Sequence, residues 1–313
     1  MSAADAETKA YLSNAERFAD VFNFWLYDGE PIIKAEELRQ LDTTAIALPY
    51  GDDARQPIQK FRDVLKLYTA MQDDSALYLV LGIEAQSHVH YAMAVRNMLY
   101  DAMNYAQQVK NKTDAHRKAG AKMTSDEFLS GFGKDDLLMP VITLVINFSG
   151  NAWDAPTSLH EMLAVKNKKL LQFVPDYRIN LLSPEKIADP DFDKFRTGLG
   201  AVMQFIKHQQ DESMDWLKRN RHMENMDWDT ASLIQAVSGK KICFDEKGDA
   251  ADMWKAWDKS MEQARQDGEA QGRDSERIYS IKKVMEKFHL TAKEAMDTLE
   301  IPDADRERYA TQV

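Results

Sequence analysis

ALYLVLGIEAQ, residues 76–86, decides how the rest of the chain is read. Eight residues from Ala76 to Ile83 are almost unbroken apolar, with several β-formers. Such a run bounded by polar residues predicts a strand buried on both faces. Glu84-Ala85-Gln86 follows directly. On a strand, residues two apart share a face, so Glu84 and Gln86 fall on one side and Ala85 on the other. A carboxylate at the end of a buried strand is costly unless it is paired or binds a cation.

The pattern recurs downstream. PVITLVINFSG (140–150) predicts a second buried strand, and Tyr177 to Leu182 a further one. Helical spacing separates them. Phe18, Val21, Phe22, Trp25 and Leu26 in NAERFADVFNFWLY (14–27) predict an amphipathic helix that Asp28-Gly29 stops. Val95, Met98, Leu99, Ala102, Met103 and Tyr105 predict the apolar stripe of another helix. Ser158 with Glu161 reads as a capping box opening a short helix, and Phe195 to His208 as a longer one. Trp153 and Asp154 suit packing and capping. Strands alternating with helices imply an α/β fold. Residues 111–136 are polar and read as an exposed insertion. After about residue 240 no strand pattern remains. The chain therefore divides into an α/β domain over 1–240 and a charged, all-helical extension over 241–313. Gly268 and Gly272 weaken that extension locally, and Thr291 and Pro302 punctuate its end.

Composition narrows the function. The chain has 313 residues, 44% hydrophobic and 29% charged, with a mean hydropathy of -0.52. No apolar run reaches the roughly 18 residues of a membrane helix, and the first residues lack the character of a secretory signal. Cys243 is the only cysteine, which removes any cysteine-based zinc site and fits a cytoplasmic setting. There is no Walker A loop, no G-x-G-x-x-G, no G-x-S-x-G and no H-E-x-x-H. The net charge of -11 argues against a protein that coats DNA by broad attraction. It leaves room for a local basic rim around an acidic cleft filled by a divalent ion.

The residues in their order resemble a known family. A helix, then Asp63, then an apolar strand ending in Glu84-Ala85-Gln86, then a helix with Arg96 and Tyr100, resembles the PD-(D/E)XK nuclease core. More narrowly, LGIEAQSHVHYAMAVRNMLYDAMNY is similar to the recombination-promoting nuclease (Rpn) family, as are FADVFNFWLYDGEPII, PVITLVINFSGNAWDAPTSLHEML and VPDYRINLL. The resemblance spans roughly residues 14–210. It implies a restriction-endonuclease-like core, a central mixed sheet flanked by helices. It also implies metal-dependent cleavage of DNA that promotes recombination, with Mg²⁺ or Mn²⁺ as cofactor. Asp63 and Glu84 would be the metal-binding carboxylates, with Gln86 beside them as the third catalytic residue. The broad class usually has lysine there; glutamine offers hydrogen bonds without charge.

Several assignments stay open. Asp20 is the first-helix acid, with Glu16 as the other choice. Arg62, Lys66, Arg96 and Tyr100 are candidate DNA contacts. His88 and His90 either continue the polar face as an H-x-H metal pair or lie in a loop. The alternative function is a catalytically degenerate nuclease fold that binds DNA or protein. The charged C-terminal helices could support a homo-oligomer.

Overall fold

The computed structural model describes residues 3–41, 44–47, 58–61, 64–72, 75–211, 213–239, 242–244 and 250–313. The chain falls into two compact units: Met1–Lys240 with Lys247–Asp252, and Lys241–Glu246 with Met253–Val313.

In the first unit the order is α1 (Ala3–Ser13), α2 (Ala15–Tyr27), β1 (Leu38–Gln40), β2 (Thr44–Ala47), β3 (Ile58–Phe61), β4 (Val64–Gln72), β5 (Ser75–Gln86), α3 (Met93–Ala119), α4 (Ser125–Ser130), β6 (Val141–Asn147), α5 (Leu159–Met162), α6 (Lys168–Leu171), β7 (Asn180–Leu182), α7 (Leu199–His208) and α8 (Trp228–Ser238). The fold is mixed α/β. Its main sheet has the order β1-β4-β5-β6-β7, and β2 and β3 form a separate antiparallel ribbon. β1, β4 and β5 are antiparallel in succession. β5, β6 and β7 are parallel. Parallel neighbours need a crossover connection, and the chain from β5 to β6 makes it through α3 and α4.

Residues at paired register positions share a face of the sheet. Val64, Lys66 and Tyr68 are all buried, and they lie on the side of α1 and α2. The Lys66 ammonium donates to the Ser13 carbonyl at 2.9 Å and to Gln40 Oε1 at 3.1 Å, and it stands 5.4 Å from the Phe18 ring centroid. Burial lowers its pKa. This corrects the expectation that Lys66 contacts DNA, because its charge is held inside the domain.

Asn14 caps α2, accepting from the Glu16 and Arg17 amides. Phe18, Val21 and Phe22 are buried as the spacing predicts, whereas Trp25 and Leu26 are about one-third exposed, at 36% and 37%. Asp28 adopts a left-handed φ of 52° and ends the helix. Gly29 follows at φ +86°, and a Cβ there would lie 2.7 Å from Lys194 Cβ, so only glycine fits the turn. Asp20 is buried on this helix. Its carboxylate accepts from the Arg196 and Thr197 amides and the Thr197 hydroxyl, at 2.6 to 3.1 Å. The first-helix acid therefore ties the approach to α7 rather than facing the end of β5. Glu16 lies in the first turn of the helix.

α3 departs from its predicted stripe. Its buried side carries Met93, Ala94, Asn97, Tyr100, Asp101, Met103 and Gln108, while Val95 is 40% exposed. The spacing is helical, but three of the seven residues are polar, and a hydrophobic pattern cannot register them. The polar stretch after residue 111 also differs from a plain insertion. α3 runs on to Ala119, Gly120 ends it at φ 61°, and Thr124 opens α4 with a reciprocal capping box to Glu127. The hairpin is pinned back on α3. Gln108 bonds both the amide and the carbonyl of Met139. His116 and the Gly133 amide hold the Asp136 carboxylate at 2.7 and 2.8 Å.

Ser158 caps α5 through the Glu161 amide. The Glu161 carboxylate turns to the Thr157 amide instead of closing the box.

In the second unit α9 (Met253–Phe288) runs through Gly268 and Gly272 without interruption, followed by α10 (Ala292–Thr298) and α11 (Asp303–Ala310). Ile281, Ala295, Met296, Ile301 and Tyr309 form its core. Thr291 closes a capping box with Glu294, and Pro302 stands at the start of α11. No described helix is long and apolar enough to cross a membrane.

Asp20→Ala leaves the partly buried Arg196 and Thr197 amides without their acceptor. It should cost about 3 kcal/mol, read as a lower urea midpoint at unchanged slope. The hydrogen bond from His116, then the one from Gly133, hold Asp136 below the ordinary 3.8. A depressed carboxylate stabilises the hairpin above pH 3.8 and loses that contribution as pH falls through its own lower value. The Gly133 amide resonance should lose its hydrogen-bonded shift in the same acid window.

Candidate active site at the carboxyl end of the central strand

The end of β5 is fixed by both neighbours. Val64, the first residue of β4, pairs with Ile83. On the other edge Gly82, Glu84 and Gln86 pair with Thr143, Val145 and Asn147 of β6. Register therefore sets positions 84 and 86 on the face that carries Thr143 and Val145. That face is covered by α3. Thr143 donates to Asp101 at 2.7 Å, and Val145 packs with Met93, Ala94, Trp153, Ala155 and Ile179.

The sequence-derived candidates separate at this point. Arg62 and Asp63 lie outside the described residues, as does the side chain of Glu84. Asp63 is the covalent neighbour of Val64, whose partner Ile83 precedes Glu84. Gln86 is buried, with Nε2 donating to the Ala85 carbonyl at 3.2 Å. Arg96 and Tyr100 meet one turn apart on α3. Arg96 Nε donates to the Tyr100 hydroxyl at 3.3 Å, and its guanidinium carbon sits 5.6 Å from the ring centroid. Tyr100 is buried and Arg96 partly so.

β5 ends at Gln86, so His88 and His90 belong to the loop before α3. Ser87 donates its one proton to Asp5 at 2.5 Å. The 3.1 Å contact with His88 Nδ1 then requires that nitrogen to be the donor. His90 Nδ1 is buried and has no partner among the described residues. Trp153 packs in the cluster with Val145 as expected. Asp154 accepts from the Tyr91 hydroxyl at 2.9 Å, which raises the pKa of that phenol. Among the described residues, no three His, Cys, Asp or Glu side chains gather at metal-binding distance.

Two residues at this site escaped the sequence reading. Asp101 is a junction: its carboxylate accepts from Thr143 and, at 2.5 Å, from the Tyr177 hydroxyl. It joins α3 to β6 and to the segment that enters β7. Asn97 lies one turn earlier, between Ala94, which packs with Val145, and Asp101, which bonds Thr143. Val145 is the register partner of Glu84. Asn97 is fully buried, yet among the described residues neither its Oδ1 nor its Nδ2 has a partner. A buried amide left unpaired costs about 1–3 kcal/mol. The signal that could have found both is the polar i, i+4 pair Asn97/Asp101 in a helix that follows a buried strand.

No family model, curated protein or solved structure matches the chain. The chemistry of the site therefore rests on its own geometry.

Asn97→Leu keeps the side-chain size and removes the unpaired amide. It should raise the unfolding free energy by about 1–2 kcal/mol, measured by urea titration.

Proposed function

We propose that this chain is a metal-dependent DNA endonuclease built on a PD-(D/E)XK type of core. The observation that carries the reading is the register at the end of β5. Glu84 and Gln86 occupy one face of the strand, the face beneath α3, and β4 begins beside them with Asp63 as its covalent neighbour. The order of elements supports it: a helix, three antiparallel strands, a helical crossover and a parallel strand. The resemblance to the recombination-promoting nucleases implies a central mixed sheet flanked by helices, and the main sheet here is mixed.

On this reading Asp63 and Glu84 hold a divalent cation, Mg²⁺ or Mn²⁺. Bound there, the ion would supply charge against the phosphoryl oxygen and lower the pKa of the attacking water. The amide of Asn97, which has no partner among the described residues and lies beside the register of Glu84, suits a hydrated guest, because it can accept from one water and donate to another oxygen. Gln86 orients water through neutral hydrogen bonds. Arg96, held against Tyr100 on α3, and Arg62 would be the contacts to a backbone phosphate, whereas Lys66 is buried.

A second reading has an observation of its own. Gln86 stands where the nuclease class usually places lysine, and Lys66 is engaged with Ser13 and Gln40. A fold with glutamine at the lysine position and Lys66 engaged elsewhere could bind DNA or protein without cutting.

One assay separates the two. Purified protein is incubated with supercoiled plasmid in Mg²⁺, Mn²⁺, Ca²⁺ or EDTA, beside Glu84→Ala. The nuclease reading expects nicking that needs Mg²⁺ or Mn²⁺ and falls more than about 100-fold in the variant, since loss of even outer partners of a metal site typically costs 10–100-fold. No cleavage by folded protein selects the binding module.

A further inference from the structure

Residues 162–175, MLAVKNKKLLQFVP, carry three lysines and no acid in a chain of net charge -11. They form a closed lip between α5 and β7. Its neck is clamped. The His160 amide donates to Asp176 Oδ1 at 2.9 Å, His160 Nε2 lies 2.6 Å from the Val174 carbonyl, and the Leu159 amide donates to the Tyr177 carbonyl at 2.9 Å. Lys166 closes it from inside, donating to the carbonyls of His160 and Glu161. Asn167 caps α6 at the tip. The lip is thus a shaped element, not a slack connection.

It displays apolar side chains to solvent beside its lysines. Phe173 is 79% exposed, Leu170 56% and Val165 50%, with Lys168 and Lys169 exposed beside them. A rigid neck that holds an aromatic ring and aliphatic side chains in water marks a surface built to be covered. Its position says by what. Met162 and Tyr177, at the two ends of the lip, pack on the cluster that contains Val145, the register partner of Glu84. The lip therefore rises from the same face of the sheet as the candidate site.

We propose that this lip is the DNA-holding surface of the protein, and that it takes a strand with exposed bases. Lys168 and Lys169 neutralise backbone phosphates, and Phe173 with Leu170 offers the apolar platform on which unpaired bases stack. That combination of cationic track and aromatic platform is how single strands are held without sequence preference. The inference rests on the nuclease reading for its choice of polyanion. It replaces Lys66, which the fold buries, with lysines that the fold presents.

The test is fluorescence anisotropy with a labelled single-stranded oligonucleotide, in Ca²⁺ across a salt series, using full-length protein and Glu84→Gln as the uncut background. Lys168→Ala/Lys169→Ala should weaken binding and lower the slope of log affinity against log salt by about 1.4, which is about 0.7 for each phosphate that is no longer neutralised. Phe173→Ala should weaken single-strand binding about tenfold while leaving the salt slope unchanged. A duplex of the same length should respond to the lysine variant and little to Phe173→Ala. All three residues are exposed, so circular dichroism should show unaltered folding.

Parent-like affinity in both variants overturns the lip while leaving the cleavage assay free to establish the nuclease. Plasmid nicking without any lip effect separates the two in the same way. Binding to phosphatidylserine vesicles that the variants lose, with no change toward DNA, overturns the proposal in favour of an anionic membrane surface.

Discussion

β5 is paired along both edges, antiparallel to β4 and parallel to β6, and the first unit is arranged around that fact. An antiparallel partner can be reached by a tight turn, and β4 passes to β5 with two residues between them. A parallel partner cannot, so the chain must leave the sheet, cross it and return. α3 is that crossing. Once it lies over the sheet, one face of β5 belongs to α3 and the other to α1 and α2. The alternation of side chains then decides which polar residues meet which helix. Moving the register by one residue would exchange the two faces, sending Gln86 toward α1 and Ala85 toward α3.

The α3 side is closed by polar contacts as much as by apolar ones. Asp101 draws a hydroxyl from β6 and another from the segment before β7 to one carboxylate, and Gln108 takes both backbone groups of Met139. Such contacts are directional, so they fix the rotation of the helix about its own axis more sharply than a greasy stripe would. Asn97 faces the same way and has no partner among the described residues. A helix whose orientation is over-determined at two turns can hold a third polar group in an unsatisfied place.

The parts that were legible in the sequence are those whose cause is local. The apolar runs of β5 and β6, the stop at Asp28-Gly29 and the break at Thr291 each depend on residues within a few positions. The parts that were not legible depend on partners far along the chain. Asp20 is satisfied by Arg196 and Thr197, and Lys66 by Ser13 and Gln40. Before those partners are known, a carboxylate on a helix or a lysine near an acidic motif reads naturally as a site residue. The buried face of α3 was missed for the same reason. Its Asn, Asp and Gln are interior only because particular groups on β6, Tyr177 and Met139 come to meet two of the three. At the candidate site, periodicity sets Glu84 and Gln86 on one face. The position of Asn97 beside that register needed the helix to be docked.

The two hydrogen bonds between Gln108 and Met139 have a further consequence. They draw the outgoing helix and the returning chain together two residues before β6 begins at Val141. Everything beyond them, from the last turns of α3 through α4, is bounded by a knot in the polypeptide that the sheet does not need to see past. The position at which β6 begins is therefore set by that pair and not by the length of the hairpin beyond it. The same feature makes the hairpin a natural socket for grafting a foreign module onto this scaffold.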